Sequence, residues 1–264
     1  MSLPRFCAVN SHWSGRLGYI PQKIDNSNPA VKIGFTLRKN YLAGKVLAVI
    51  SKFFEHDGIT IYCGNCGDIL PSLGVFDAVV TDPPYGLGDK WNGGAGGDKS
   101  SWKIPQSEAK QWDMSPSEHL PEVLKHGRQI IVWGGNYYNL PPARCWLIWD
   151  KKQPDTWTTG QAEMAWTNLD RPVRMFRMSQ VEAHSEMGHK CHPTQKPLSL
   201  MSWCIAMVNE PVATVLDPFA GSGTTLRAAK DRGLKAVGIE LDERYCEIAA
   251  ERLGQEVLDF GGVA

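Results

Sequence analysis

The sequence predicts an α/β fold built on a mostly parallel sheet, and three observations carry that reading. From about Phe53 onward, short apolar runs alternate with stretches of helical periodicity, the pattern of strands joined by crossovers. One run, Val215-Leu216-Asp217, leads through Pro218-Phe219-Ala220-Gly221-Ser222-Gly223 into Thr224-Thr225: a strand, a glycine turn, then a helix. Another, Val79-Val80-Thr81, ends in Asp82-Pro83-Pro84-Tyr85-Gly86, a stiff acidic turn at a strand exit, where open parallel sheets place ligands.

The chain opens with residues 1–52, where eight basic side chains (Arg5, Arg16, Lys23, Lys32, Arg38, Lys39, Lys45 and Lys52) face one acid, Asp25. The formal net charge of the whole chain is 0, so this excess is matched by an acidic remainder. Such an asymmetry fits either an arm for a polyanion or a solvated extension. It divides the chain into a basic extension over 1–52 and a folded domain over 53–264. Strands are predicted at 59–62, 76–81, 129–133, 146–149, 164–167, 212–216 and 236–239, and helices at 107–112, 116–125, 199–208, 224–232 and 243–253. The last helix places Tyr245, Ile248, Ala249 and Leu253 on one face, an amphipathic cover for a sheet. Six glycines between Gly86 and Lys103 predict a mobile loop, since no packed element tolerates that many.

Several classes are excluded. Apolar stretches such as Tyr41 to Ile50 are interrupted, here by Gly44 and Lys45, and fall short of the roughly 20 apolar residues that span a bilayer. Residues 1–10 hold one arginine and no apolar run of signal-peptide length, which predicts a cytoplasmic protein without a membrane partner. Seven cysteines, an odd number spread over the chain, fit reduced thiols. Cys63 and Cys66 form a C-x-x-C that His189, Cys191 and His192 could complete as a zinc set; the irregular second half argues against it, and no metal is expected.

The motifs have specific chemical uses. A carboxylate beside a rigid proline carbonyl, as at Asp82 and Pro83, is a receptor for an N–H₂ group, and Tyr85 offers a face for a flat ring. In the glycine turn, Leu226 stands where a dinucleotide fingerprint needs its third glycine, and no G-K-[ST] is present to make a phosphate loop. The next strand ends at Glu240, which can accept both hydroxyls of a ribose. A nucleoside cofactor without a pyrophosphate fits best. His192-Pro193-Thr194-Gln195-Lys196-Pro197, ahead of the 199–208 helix, is by itself an ordinary proline-bounded loop.

Together these three blocks resemble the DNA amino-methyltransferases that use S-adenosylmethionine, in the group whose D-P-P-Y block precedes the F-x-G-x-G block. The resemblance covers about 53–253 and implies the class I methyltransferase fold: a seven-stranded, mostly parallel sheet with one antiparallel strand, flanked by helices. It assigns catalysis to Asp82, Pro83, Pro84 and Tyr85. Cofactor contacts fall on Asp217, Phe219, Gly221, Gly223, Thr224 and Glu240, with Lys196 contributing to the same pocket. The 59–62 strand is then the third of the cofactor half, and Asp68 just beyond it is a candidate contact to the cofactor's adenine.

The activity the resemblance implies is methylation of the exocyclic N6 of adenine in double-stranded DNA, within restriction-modification, with cytosine N4 as the alternative. The base must be flipped out of the duplex, at a cost of a few kcal/mol. Family members carry a recognition segment before the H-P-T-Q-K-P block. Here it spans only about 170–190, with Arg171, Arg174 and Arg177 as candidate DNA contacts. A segment this short implies a short site, a second copy of the chain in a homodimer, or help from the glycine loop and from the basic extension. Trp91 and Trp102 on that loop fit surface packing better than wedging or stacking beside the flipped base. An RNA or protein-glutamine methyltransferase usually has the cofactor block first. A nicotinamide-dependent dehydrogenase leaves the D-P-P-Y turn unexplained.

Overall fold

The structure, a computed structural model, describes residues 39–42, 45–48, 51–87, 113–156, 160–187, 195–209 and 211–254. In chain order its strands are β1 (Lys39–Leu42), β2 (Lys45–Ala48), β3 (Lys52–His56), β4 (Ile59–Cys63), β5 (Phe76–Thr81), β6 (Gly127–Trp133), β7 (Trp146–Asp150), β8 (Ala162–Thr167), β9 (Arg174–Arg177), β10 (Thr214–Asp217) and β11 (Lys235–Glu240). Its α-helices are α1 (Cys66–Ile69), α2 (Leu120–Val123), α3 (Gln180–Met187), α4 (Leu198–Met207), α5 (Thr224–Lys230) and α6 (Glu243–Gly254). None of the described helices is long and apolar enough to cross a membrane.

β1 and β2 pair antiparallel with each other. The other nine strands form one sheet in the order β3-β4-β11-β10-β5-β6-β8-β7-β9. All seven predicted strands are in it, and the expectation of seven is corrected to nine by an added strand at each edge. β8 runs antiparallel to β6 and β7, and β3 antiparallel to β4, so two strands are reversed rather than one; every other neighbouring pair is parallel.

The added strands have different origins. β3 is written locally: Asp57 and Gly58, with φ of 47° and 76°, make the two-residue turn that matches the twist of a hairpin, and His56 then pairs with Ile59. β9 has four residues, mostly exposed, and no apolar alternation. It is a strand because β7 offers it an edge, with Leu147 opposite Arg174 and Asp150 opposite Arg177.

Period-two alternation in the central strands divides their side chains between two cores. Ala78 and Val80 of β5, with Ile131 and Trp133 of β6, share one core with Leu200 and Cys204 of α4, Ala228 of α5 and Cys246 of α6. Val79, Ile130 and Val132 share the other with Ile69 of α1 and Leu120 and Val123 of α2. Both faces are thereby covered, as a parallel sheet requires. The helix expected over 116–125 contracts to Leu120–Val123, because Pro116 is drawn into a bridge with Tyr85. The 107–112 helix, Trp91, Trp102 and all but the first two residues of the glycine loop lie outside the described residues.

Candidate active site

The chain leaves β5 toward β6 and leaves β10 toward β11, on the opposite side, so its connections diverge between β5 and β10. Divergence opens a crevice beyond the carboxyl ends of the strands, the place where open α/β sheets bind ligands. Here Thr81 Oγ1 donates to Asp217 Oδ1 at 2.7 Å, tying the two strand ends together in the buried interior. The acidic turn after β5 and the glycine turn after β10 therefore sit side by side.

On the β5 side, Asp82 is held at both oxygens. Tyr85 Oη donates to Oδ1, and Lys196 Nζ donates to Oδ2 at 2.6 Å. Lys196 also lies 3.2 Å from Glu163 Oε2, and Lys151 Nζ 2.6 Å from Glu163 Oε1. The residue expected in the cofactor pocket thus has its ammonium on the candidate catalytic acid. Burial works to lower the Lys196 value, but Asp82 and Glu163 overcome it and hold the ammonium protonated. For Glu163, burial acts upward, yet Lys196 and Lys151 outweigh it and bring the carboxyl down to about 2. Burial lifts Asp82 against the pull of Lys196 and Tyr85.

An aromatic wall completes this half. Tyr85 stacks on Tyr137, with ring centroids 5.1 Å apart and planes 20° from parallel. Tyr138 Oη donates to the Pro84 carbonyl and accepts from Ser117 N at 3.2 Å. Asp113 accepts from Gly86 N at 2.7 Å and from Leu87 N at 3.2 Å, closing the turn from the other side. Gly134, with φ of 66°, follows β6 directly; a Cβ there would run into the Tyr85 ring, so only glycine lets the ring lie where it does. Among the described residues nothing donates to the Pro83 carbonyl.

On the β10 side the acids accept hydroxyl and backbone N–H bonds. Asp217 Oδ1 accepts from Thr81 and from Phe219 N at 3.1 Å. Burial pushes this carboxyl up to about 6 despite hydrogen bonds from Thr225, Thr81 and Phe219. Glu240 Oε2 accepts from Gly221 N and Oε1 from Asp242 N, each at 2.8 Å, which leaves lone pairs on both oxygens for a diol. Burial raises Glu240 too. Among the described residues no lysine or arginine pairs with either acid. Gly223 caps α5 with φ of 76°, and a Cβ there would lie 2.9 Å from Ala249 Cβ, so this glycine lets α6 pack onto the turn. Phe219 and Thr224 line the same turn, and Leu241, beside Glu240, is left 71% exposed.

Other expected residues are not gathered. Asp68 is exposed in α1, just past β4. Arg171 bonds Asn209, Arg177 lies 3.5 Å from Asp150, and Arg174 is exposed; a spacing of three puts Arg174 and Arg177 on opposite faces of β9. The rest of the 170–190 segment is partly structural, since Ala183 of α3 enters the core. His189, Cys191, His192, Pro193 and Thr194 lie outside the described residues. Of the C-x-x-C pair, Cys66 is buried, and the Cys63 thiol is lowered chiefly by a hydrogen bond from Cys246.

Sequence reasoning missed Glu163, Lys151, Tyr137, Tyr138, Asp113, Gly134 and Leu241. Trp133-Gly134-Gly135-Asn136-Tyr137-Tyr138 did carry a signal, glycines and aromatics at the exit of a predicted parallel strand. Glu163 and Lys151 had none, being ordinary charges in or beside strands.

Acceptors suited to an amine and acceptors suited to a diol thus meet at the switch point of an open sheet, the place where such sheets bind ligands. The chain belongs to the DNA methylase family, whose model matches residues 98–251, more than half its length. The Asp82 turn lies just ahead of the matched segment. The chain is 27% identical over 252 residues to the type II methyltransferase M.HpaI of Haemophilus parainfluenzae, covering 77% of this chain and 76% of that one. Among solved structures, the M1.HpyAVI complex with S-adenosylmethionine matches 75% of this chain and all of its own, at 21% identity and a TM-score of 0.49. The cytosine-N4-specific PvuII DNA methyltransferase matches 75% of this chain and 87% of its own, at 19% identity and a TM-score of 0.48.

Proposed function

We propose that this DNA methylase transfers a methyl group from S-adenosylmethionine to the exocyclic N6 of an adenine flipped out of double-stranded DNA. The observation that carries the reading is the Thr81–Asp217 hydrogen bond, which sets a receptor for an N–H₂ group against a site for a nucleoside. The β10 side fits the cofactor. Glu240 has lone pairs free for ribose hydroxyls, Leu241 offers an apolar surface for a flat ring, and acids without counter-cations suit a positively charged ligand. When bound, S-adenosylmethionine supplies an electrophilic methyl group on a sulfonium.

The residues of the β5 side act on the amine. Its lone pair is delocalised into the base and must be localised on nitrogen before it can attack. Asp82 accepts one N–H and the rigid Pro83 carbonyl the other, which draws the nitrogen toward tetrahedral geometry. As positive charge develops on nitrogen, a preorganised carboxylate in a dry site stabilises it. Asp82 already accepts from Tyr85 and Lys196, so the amine uses its remaining lone pairs. Tyr137 covers one face of Tyr85, and it is 46% exposed, so an extruded base either takes its place or continues the stack. Adenine is favoured because the tetrapeptide is D-P-P-Y, the form commoner in adenine enzymes.

The test is incubation of the purified chain with unmethylated DNA and S-adenosylmethionine, followed by nucleoside mass spectrometry, with Asp82→Ala alongside. N6-methyladenine from the wild type, lost in the variant, is the expected result. N4-methylcytosine would keep the mechanism and replace the base; no methylated nucleoside on several DNAs would overturn the proposal.

A further inference from the structure

Three charged side chains from three other parts of the chain gather beside the receptor carboxylate of Asp82. Asp82 follows β5, Glu163 lies in β8, Lys151 follows β7 and Lys196 precedes α4. The order of contact is Asp82–Lys196–Glu163–Lys151, at 2.6, 3.2 and 2.6 Å, and Lys196 is only 8% exposed. Desolvating such charges costs more than packing apolar groups of similar size, so stability alone is a weak reason for the arrangement. We infer that Lys196 and Glu163 are positioning residues for Asp82: Lys196 holds the carboxylate oriented and ionised, and Glu163 offsets the lysines' charge so that the receptor does not repel an amine becoming positive. The inference rests on the methyl-transfer reading above.

The charge count supports this division of labour. With Lys196 and Lys151 but no Glu163, the cluster around Asp82 would be net positive, and that field opposes charge growing on nitrogen. With Glu163 it is neutral, and the charge nearest the amine is negative. Among the described residues, the other titratable groups that act on or are acted on by Asp82 are Tyr85, Tyr138 and Asp217. Burial raises both phenols, Tyr138 to about 12, so they stay protonated. Lys196 pulls the Asp82 carboxyl down, whereas Glu163 pushes it up. Removing one or the other should therefore move Asp82 in opposite directions, and if the pair positions Asp82 for catalysis the rate profile should follow.

The experiment compares wild type, Lys196→Met, Lys196→Arg and Glu163→Gln in the full chain. Single-turnover methylation of unmethylated DNA is followed against pH, and S-adenosylhomocysteine binding is measured by calorimetry. Lys196→Met is expected to slow turnover about a hundredfold and Glu163→Gln about tenfold. The acid limb of the profile should move up in Lys196→Met and down in Glu163→Gln, each by roughly one pH unit, with S-adenosylhomocysteine affinity unchanged. Lys196→Arg should recover most of the rate. Limbs that stay put or move together would overturn the inference, as would Lys196→Met losing S-adenosylhomocysteine binding with its limb unmoved. Carbon-13 titration of the Asp82 carboxyl, assigned by its loss in Asp82→Asn, reads the same shifts without turnover. Opposite shifts in a protein that methylates no DNA would leave the network standing and the functional reading overturned.

Discussion

The two halves of the sheet that meet between β5 and β10 handle charge in opposite ways. Beyond β5, β7 and β8, acids alternate with lysines in a closed chain from Asp82 to Lys151. Beyond β10 and β11, Asp217 is buried and Glu240 half-buried, and among the described residues they accept hydroxyl and backbone N–H bonds with no cation beside them. A half whose charges are already balanced is organised before any ligand arrives. A half with acids raised by burial is left incomplete, and a cationic ligand would relieve it. Under the proposed function, rate belongs to the first half and cofactor binding to the second.

The largest effect should come from Asp82→Ala, which removes the receptor carboxylate. Methyl transfer is expected to fall by at least ~10² to 10³ with S-adenosylhomocysteine binding retained; lost binding would break the division between the halves. Glu240→Ala should do the reverse. It removes the acceptor for Gly221 N and Asp242 N along with the contact to a ribose, so S-adenosylhomocysteine should bind about ten- to a hundredfold more weakly by calorimetry. Turnover at saturating cofactor should change far less.

Asp217 sharpens the comparison through pH. Its folded value, about 6, lies above the ordinary 3.8, so protonation favours the folded chain. Stability from this group is therefore gained as pH falls through the folded value and is fully present below the unfolded one. Asp217→Asn should raise ligand-free stability near neutral pH by about 1 kcal/mol and flatten that pH dependence, read by denaturant melts. The smallest effect belongs to Tyr137→Ala, which uncovers Tyr85. A stacked aromatic pair is worth about 0.5–1.5 kcal/mol, so KM for DNA should rise by about tenfold or less while cofactor binding is unmoved.

Much of the fold was legible because it is local. Apolar runs located all seven inner strands, and the acidic and glycine turns announced themselves by residue type at strand exits. β3 could have been read as well, from the Asp57-Gly58 turn. β9 could not, since its strand character comes from the open edge of β7 and not from its own residues. Equal spacing made Arg171, Arg174 and Arg177 look like a set, but an extended backbone and the bond to Asn209 separate them.

By itself, then, the sequence determined the layered α/β class and the two turns, and it singled out Asp82, Tyr85, Asp217 and Glu240 as candidates, because strand periodicity and turn chemistry act over a few neighbouring residues. Only the tertiary structure decided what surrounds them. Strand order β11-β10-β5-β6 put the two turns at one crevice, and the pairing of β7 with β8 and the approach to α4 turned Lys151, Glu163 and Lys196 into one partly buried network. Charges far apart in sequence become partners only where folding excludes the water that would otherwise screen them.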